Sequence, residues 1–167
     1  DNHTSGKKLI VLTMRELEYS QKKNNRWADW IQFAKSIDPE EYSVVIIRDT
    51  MVTMKDQRTT VDGIPVFLAA SWNTDIRMAI YSLAYLNMFV ASGPAWFCFF
   101  NRNAKMLMFS HILTENSHIS IDEQEAGFVG SQFPGHTKFQ KFVWHEDTFE
   151  NLKKEFDEMV GIIEESP

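Results

Sequence analysis

Residues 71–94 read SWNTDIRMAIYSLAYLNMFVASGP, a polar start, an apolar periodic stretch and a glycine turn in succession. Thr74 and Asp75 stand where a helix cap and a first-turn acid belong, and Ile76, Ala79, Ile80, Leu83, Ala84 and Leu86 continue at helical spacing to about Asn87. MFVAS (88–92) then reads as a strand, Gly93 and Pro94 turn the chain, and residues 94–100 start a short helix. A helix set between apolar strand-like runs is a βαβ unit, the building block of a parallel sheet. Arg77 is the odd residue in this stretch, because a cation in the first turn opposes the helix dipole unless an anion sits there. Either it faces a bound anion, or it pairs at the surface with Asp75 or another carboxylate. On both readings it lies outside the core, and its removal is expected to leave stability almost unchanged.

The same alternation extends in both directions. KKLIVLTMRE (7–16) predicts the first strand, and NRWADWIQFAKSID (25–38) predicts a helix with Trp27, Trp30, Ile31, Ala34 and Ile37 on its buried face. YSVVIIRDT (42–50) follows as a continuous apolar strand, a polar connection runs through residues 51–63, and IPVFLAAS (64–71) predicts a third strand. KMLMFSH (105–111) predicts a fifth. Residues 114–136, punctuated by Gly127, Gly130, Pro134 and Gly135, read as a structured loop, and KFVW (141–144) as a short edge strand. Phe149, Leu152, Phe156, Met159, Val160 and Ile163 mark one face of a terminal helix. The expected fold is α/β, a Rossmann-like three-layer domain with a mostly parallel sheet of about five strands in the order 3-2-1-4-5. Residues 1–167 are expected to form a single domain, and a chain opening on Asp1 reads as excised from a larger one.

Composition narrows the classes of function. The chain is 44% hydrophobic with 13 Phe and 5 Trp, which suits a globular core, and it has no apolar run of spanning length. Membrane insertion is not expected. A net charge of -6 argues against general nucleic-acid binding, which needs a basic surface to displace counterions. The lone Cys98, within PAWFCFF (94–100), can form no intrachain disulfide and reads as a small core residue, in keeping with a reducing, cytoplasmic setting.

Ligands of open parallel sheets bind beyond the carboxyl ends of the strands, so the residues there are the first candidates. They are Arg15 and Glu16, then Arg48, Asp49 and Thr50, then Ser71 and Asn73, and finally Ser92 and Gly93. Guanidinium groups beside a helix start and a glycine turn suit phosphate, because the planar fork matches its oxygens and first-turn N–H groups point outward. Polar residues also end strands for purely structural reasons, and Glu16, Glu18 and Arg48 read as solvated charges. The five histidines, His3, His111, His118, His136 and His145, have no metal-site spacing, and no DxD follows a strand, so neither a metal nor another cofactor is expected. Dinucleotide and P-loop glycine patterns and a GxSxG elbow are likewise missing from the sequence.

LTMRE (12–16), the segment from Ser71 through Arg77 and Ala79 to Tyr81, and NMFVASGP (87–94) together resemble the donor-binding half of GT-B glycosyltransferases of the fucosyltransferase-like kind. Arg77 stands one residue farther from Ser71 than in that pattern. Over nearly its whole length the chain is also similar to bacterial proteins associated with surface-carbohydrate synthesis. That similarity runs through Thr13, Arg15, Glu16, Asn24, Trp30, Arg48, Asp49, Thr50, Arg77, Ala79, Tyr81, Ala84, Asn87, Gly93, Pro94, Gly130, Gln132, Gln140, Trp144 and Asp147. The resemblance implies a nucleoside-diphosphate sugar as ligand, bound without metal through Arg15, Asn24, Asp49, Ser71, Arg77, Ser92, Gly93 and Gln132. It also implies that this chain is either one lobe, with the acceptor and catalytic base supplied by a second lobe or a partner chain, or a single-domain relative without full activity. The glutamines of the 116–140 loop are expected to lie across the strand ends. Two other readings stand beside this one. The first is a non-catalytic interaction module using PAWFCFF and KFVW, and the second is a small-molecule enzyme of flavodoxin-like topology.

Overall fold

The computed structural model describes residues 6–18, 21–109 and 130–166. The strands of the main sheet are β1 (Lys8–Thr13), β2 (Tyr42–Ile47), β5 (Leu86–Val90), β6 (Met106–Phe109) and β7 (Gln140–Val143), with a small β3 (Thr60–Val61) and β4 (Ile64–Pro65) hairpin beside them. The helices are α1 (Trp27–Ser36), α2 (Thr50–Lys55), α3 (Ala69–Trp72), α4 (Thr74–Leu83), α5 (Gly93–Phe100) and α6 (Phe149–Glu164). Every pairing in the main sheet is parallel and the order is β2-β1-β5-β6-β7. This is a three-layer α/β fold of the Rossmann-like class.

Continuous apolar strands belong in a sheet covered on both faces, and the alternation of side chains sorts them between two cores. Ile10, Leu12, Met88 and Phe109 face α1 and α6, where Trp30, Phe33, Leu152 and Phe156 meet them. Val11, Phe89, Met106 and Met108 face the layer of α3, α4 and α5, with Tyr81, Ala95 and Cys98 packed against them. The helices α1 and α6 cap each other. The Asp147 carboxylate accepts from the Arg26 amide at 2.9 Å and the Trp30 indole N–H at 2.5 Å, while Asp29 accepts from the Phe149 amide at 3.1 Å. Each helix start, which would otherwise leave N–H donors unmet, is satisfied by an acid preceding or within the other.

The structure departs from the sequence expectation in several places: the connection read through residues 51–63 carries most of α2 and the whole of β3. The run 64–71 is no full strand. Only Ile64–Pro65 pair within the hairpin, Val66 makes a single parallel bridge to Ile46, and the chain then turns into α3. The predicted third position beside β2 is therefore occupied by one bridge. The helix α4 also ends at Leu83 rather than near Asn87. Asn87 lies fully buried in β5, and its side-chain amide donates to the carbonyls of Tyr81 and Lys105 at 2.9 and 3.1 Å. A carbonyl of the last helical turn is thus met from the sheet.

Candidate functional site

In this strand order the connection from β1 leads to one side and that from β5 to the other, so the loops beyond their carboxyl ends diverge. Such a switch point opens a crevice in parallel sheets. Here it forms a cavity of about 290 Å³. Thr13, Met14, Arg15 and Leu17 line it after β1, Arg48, Asp49 and Thr50 after β2, and Ser92, Gly93 and Pro94 after β5, with Arg77 entering from α4.

Each wall has its own support. The loop after β1 is held by two asparagines: Asn25 accepts from the Arg15 amide at 2.6 Å, and Asn24 both accepts from the Leu17 amide at 2.7 Å and donates to the Leu17 carbonyl at 3.0 Å. The Arg15 guanidinium reaches across to the Ala91 carbonyl at 2.6 Å, which places it over the gap between β1 and β5. Ser92 precedes α5 in extended conformation and makes no side-chain capping bond, so the mouth of this helix is open to the cavity. On the β2 side, Asp49 caps α2 through the Met51 amide at 3.0 Å, and the Thr50 hydroxyl bonds to the Ser71 carbonyl.

Arg77 is the main correction to the sequence reading. It is 8% exposed, on the buried face of α4 beside Tyr81, and it pairs neither with Asp75 nor with any other carboxylate among the described residues. Its guanidinium donates to the carbonyls of Ala70 at 2.5 Å and Ser71 at 3.0 Å. It therefore fastens α3 to α4, and the expectation that its removal costs no stability does not fit this geometry. Below it, the Tyr81 hydroxyl lies 2.9 Å from the Thr13 hydroxyl, and burial pushes its pKa up to about 12.

Arg48 and Glu16 are not solvated charges either. Arg48 is 7% exposed, bound through two nitrogens to Glu16 at 2.7 and 3.0 Å and through a third to Asp56 at 2.7 Å, with its guanidinium over the Trp27 ring. The hydrogen bonds to Glu16 hold the Arg48 pKa above its ordinary value, and Arg58 followed by Arg48 holds the Asp56 carboxyl well below the carboxylate range. Glu18 is exposed and paired with Lys55.

Of the sequence candidates, Arg15, Asp49, Arg77, Ser92 and Gly93 meet at the cavity. Asn24 supports its loop from behind. Ser71 is 2% exposed and contributes a carbonyl to the scaffold, so its side chain does not line the cavity. Gln132 is on the far edge of the sheet, its amide bonded to the main chain of Phe142 at 2.8 and 2.9 Å. Gln140 is buried and donates to the carbonyls of Phe99 and Asn101 at the end of α5. Neither glutamine crosses the strand ends, and residues 110–129 of that loop, with Gln124, lie outside the described ones. KFVW is mostly buried through Phe142 and Val143, which removes it as a docking segment. His136 bonds to the Phe133 carbonyl at 3.0 Å, and no group of three metal-ligating side chains occurs among the described residues. Sequence reasoning missed Met14 and Leu17 as lining residues, apolar side chains whose signal was their place after a strand.

No family model matches the chain, and no curated protein matches it. The solved structure of MT0777 aligns with 96% of this chain and 99% of its own length at 11% identity and a TM-score of 0.42, a likeness too slight to bear on function. Among the described residues no helix is long and apolar enough to cross a membrane.

Proposed function

We propose that the chain is a nucleotide-sugar-binding domain of glycosyltransferase type, which holds the donor's diphosphate, without a metal, in the crevice between the ends of β1 and β5. One observation supports this above all. Arg15 and Arg77 both reach the cavity, and neither has a carboxylate partner among the described residues. A guanidinium withdrawn from water costs several kcal/mol unless its charge is met, and carbonyl dipoles meet it only in part. A diphosphate would complete the pairing, with the open start of α5 adding N–H donors. The sugar chemistry itself comes from the resemblance of LTMRE, of the Ser71–Tyr81 segment and of NMFVASGP to fucosyltransferase-like enzymes. In such a reaction the leaving nucleoside diphosphate gains negative charge as the glycosidic bond breaks, so fixed cations at the phosphates favour the transition state. The acceptor and the base that takes its proton belong to a second lobe or partner chain, and the donor class fits work in the cytoplasm.

Calorimetry of the wild-type chain, Arg15→Ala and Gly93→Ala with GDP, UDP, CDP and TDP tests the reading. A Cβ at Gly93 meets no atom within 4 Å, so this variant should fold normally while its methyl group intrudes on ligand at the helix mouth. At least one nucleotide should bind, and Arg15→Ala should weaken it by roughly 10- to 150-fold, the loss of about 1.5–3 kcal/mol expected for a charge-assisted hydrogen bond. Absence of binding by all four at millimolar concentration refutes the proposal.

A further inference from the structure

The periodicity of α4 predicts that Ile76, Ala79, Ile80, Leu83 and Ala84 turn inward; Ala84 is buried and Ile76 and Ile80 pack partly buried against the core, but Ala79 and Leu83 are exposed, and Arg77 and Tyr81 take the buried positions in the helix. The outer ridge of this helix is Asp75, Ala79 and Leu83, spaced four residues apart, and all three are exposed. Leu83 is 78% exposed, and the adjacent α5 leaves Phe97 and Phe100 44% and 76% exposed. The Asn101 side-chain amide, donating to the Ser82 hydroxyl at 2.9 Å, ties the ends of the two helices together. Together these side chains leave on the order of a few hundred Å² of apolar surface open, the size of the largest patch on a typical monomer, which is often a functional one.

We infer that the outer face of α4 and α5 is the contact surface of a two-fold dimer of this chain. The charges on the patch select that occupant. Exposed Asp75 marks the start of α4, and exposed Arg102 lies just beyond the end of α5, where among the described residues it makes a long 3.4 Å contact to the Gly135 carbonyl. When α4 is laid antiparallel on a second α4, Asp75 of each copy comes to the Arg102 end of the other, so one surface supplies both signs to itself. Ala79, midway between Asp75 and Leu83, falls on the two-fold axis, and its small side chain lets the helices approach closely. The apolar centre with a charged rim has the anatomy of an isologous interface.

Sedimentation equilibrium of the 167-residue chain should give a reversible dimer at concentrations of tens of micromolar. Leu83→Glu with Phe100→Glu, both on exposed side chains, should sediment as a monomer with unchanged circular dichroism. Asp75→Lys should weaken association, and adding Arg102→Asp to it should restore most of the loss. Ala79→Cys should cross-link to a covalent dimer on mild oxidation, whereas Lys35→Cys, on α1 at the opposite layer, should not. The buried native Cys98 does not interfere. A monomeric wild-type chain at 200 µM, or a dimer indifferent to the double glutamate variant, overturns the inference and leaves the patch to a different partner. A dimer that persists in that variant but fails to cross-link through Ala79→Cys also overturns it.

Discussion

Replacing Arg77 by alanine should destabilise the protein even with no ligand present. Two hydrogen bonds from a charged donor disappear, those to the carbonyls of Ala70 and Ser71. The Ser71 carbonyl keeps the Thr50 hydroxyl as donor, so the larger loss falls on Ala70. A hydrogen bond to a charged group contributes about 1.5–3 kcal/mol, and the methylenes of a buried stem add about 0.8 kcal/mol each. Removing a poorly compensated buried charge returns part of this. The net cost should be roughly 2–4 kcal/mol, which at about 2–4 °C per kcal/mol for a chain of this size lowers Tm by roughly 4–16 °C. Arg77→Met separates the contributions, because it keeps most of the stem and lacks the donors, and it should fall between alanine and wild type. Thermal and urea melts without nucleotide measure all three proteins. A shift below about 1 °C for Arg77→Ala would refute the clasp between α3 and α4. Wild-type stability in Arg77→Met would show that packing alone holds these helices together.

Cys98 is fully buried and burial pushes its thiol pKa up, so a neutral-pH thiol reagent should label it only at the rate of unfolding or local opening. Rapid labelling in native buffer would contradict the packing of α5. Asp56 titrates below the ordinary carboxylate range because Arg58 and Arg48 stabilise its charged form. A depressed folded-state pKa contributes stability that is present above the unfolded value near 4 and is lost as pH falls toward the folded one. Urea midpoints of Asp56→Asn should therefore fall less steeply than those of wild type as the pH drops below about 4, and parallel acid limbs would show that the pairing carries no such dependence.

The parallel sheet was readable because β1, β2 and β5 are continuous apolar runs of a kind that only a doubly covered sheet can bury. The strand-end rule likewise found Arg15, Asp49, Ser92 and Gly93, since it needs only the position of each strand. What periodicity could not reveal was that Arg77 and Tyr81 are the buried positions of α4. It counts arginine as polar and outward, whereas Arg77 finds carbonyl acceptors in α3, a short helix that the sequence presented as the end of a strand. Arg48 was misread for a similar reason, because Glu16 and Asp56, 32 and 8 residues away in the chain, neutralise it only once the fold exists. Gln132 looks like a ligand group in sequence and is spent on main-chain contacts in the structure, while the Ser71 hydroxyl is buried away from the cavity with no hydrogen-bond partner among the described residues.

The side-chain amide of Gln132 meets both main-chain groups of Phe142, accepting from its N–H and donating to its carbonyl. This is the pattern a neighbouring strand would offer, delivered by one residue to the outer rim of β7. At the opposite rim, among the described residues, β2 receives only the Val66 bridge with the Phe67 amide on the Ile46 carbonyl. Exposed strand rims invite foreign chains to add themselves and seed aggregation. On the β7 side, a passing peptide would have to displace an amide already seated at the centre of the four-residue strand, so self-templated growth of the sheet is discouraged there.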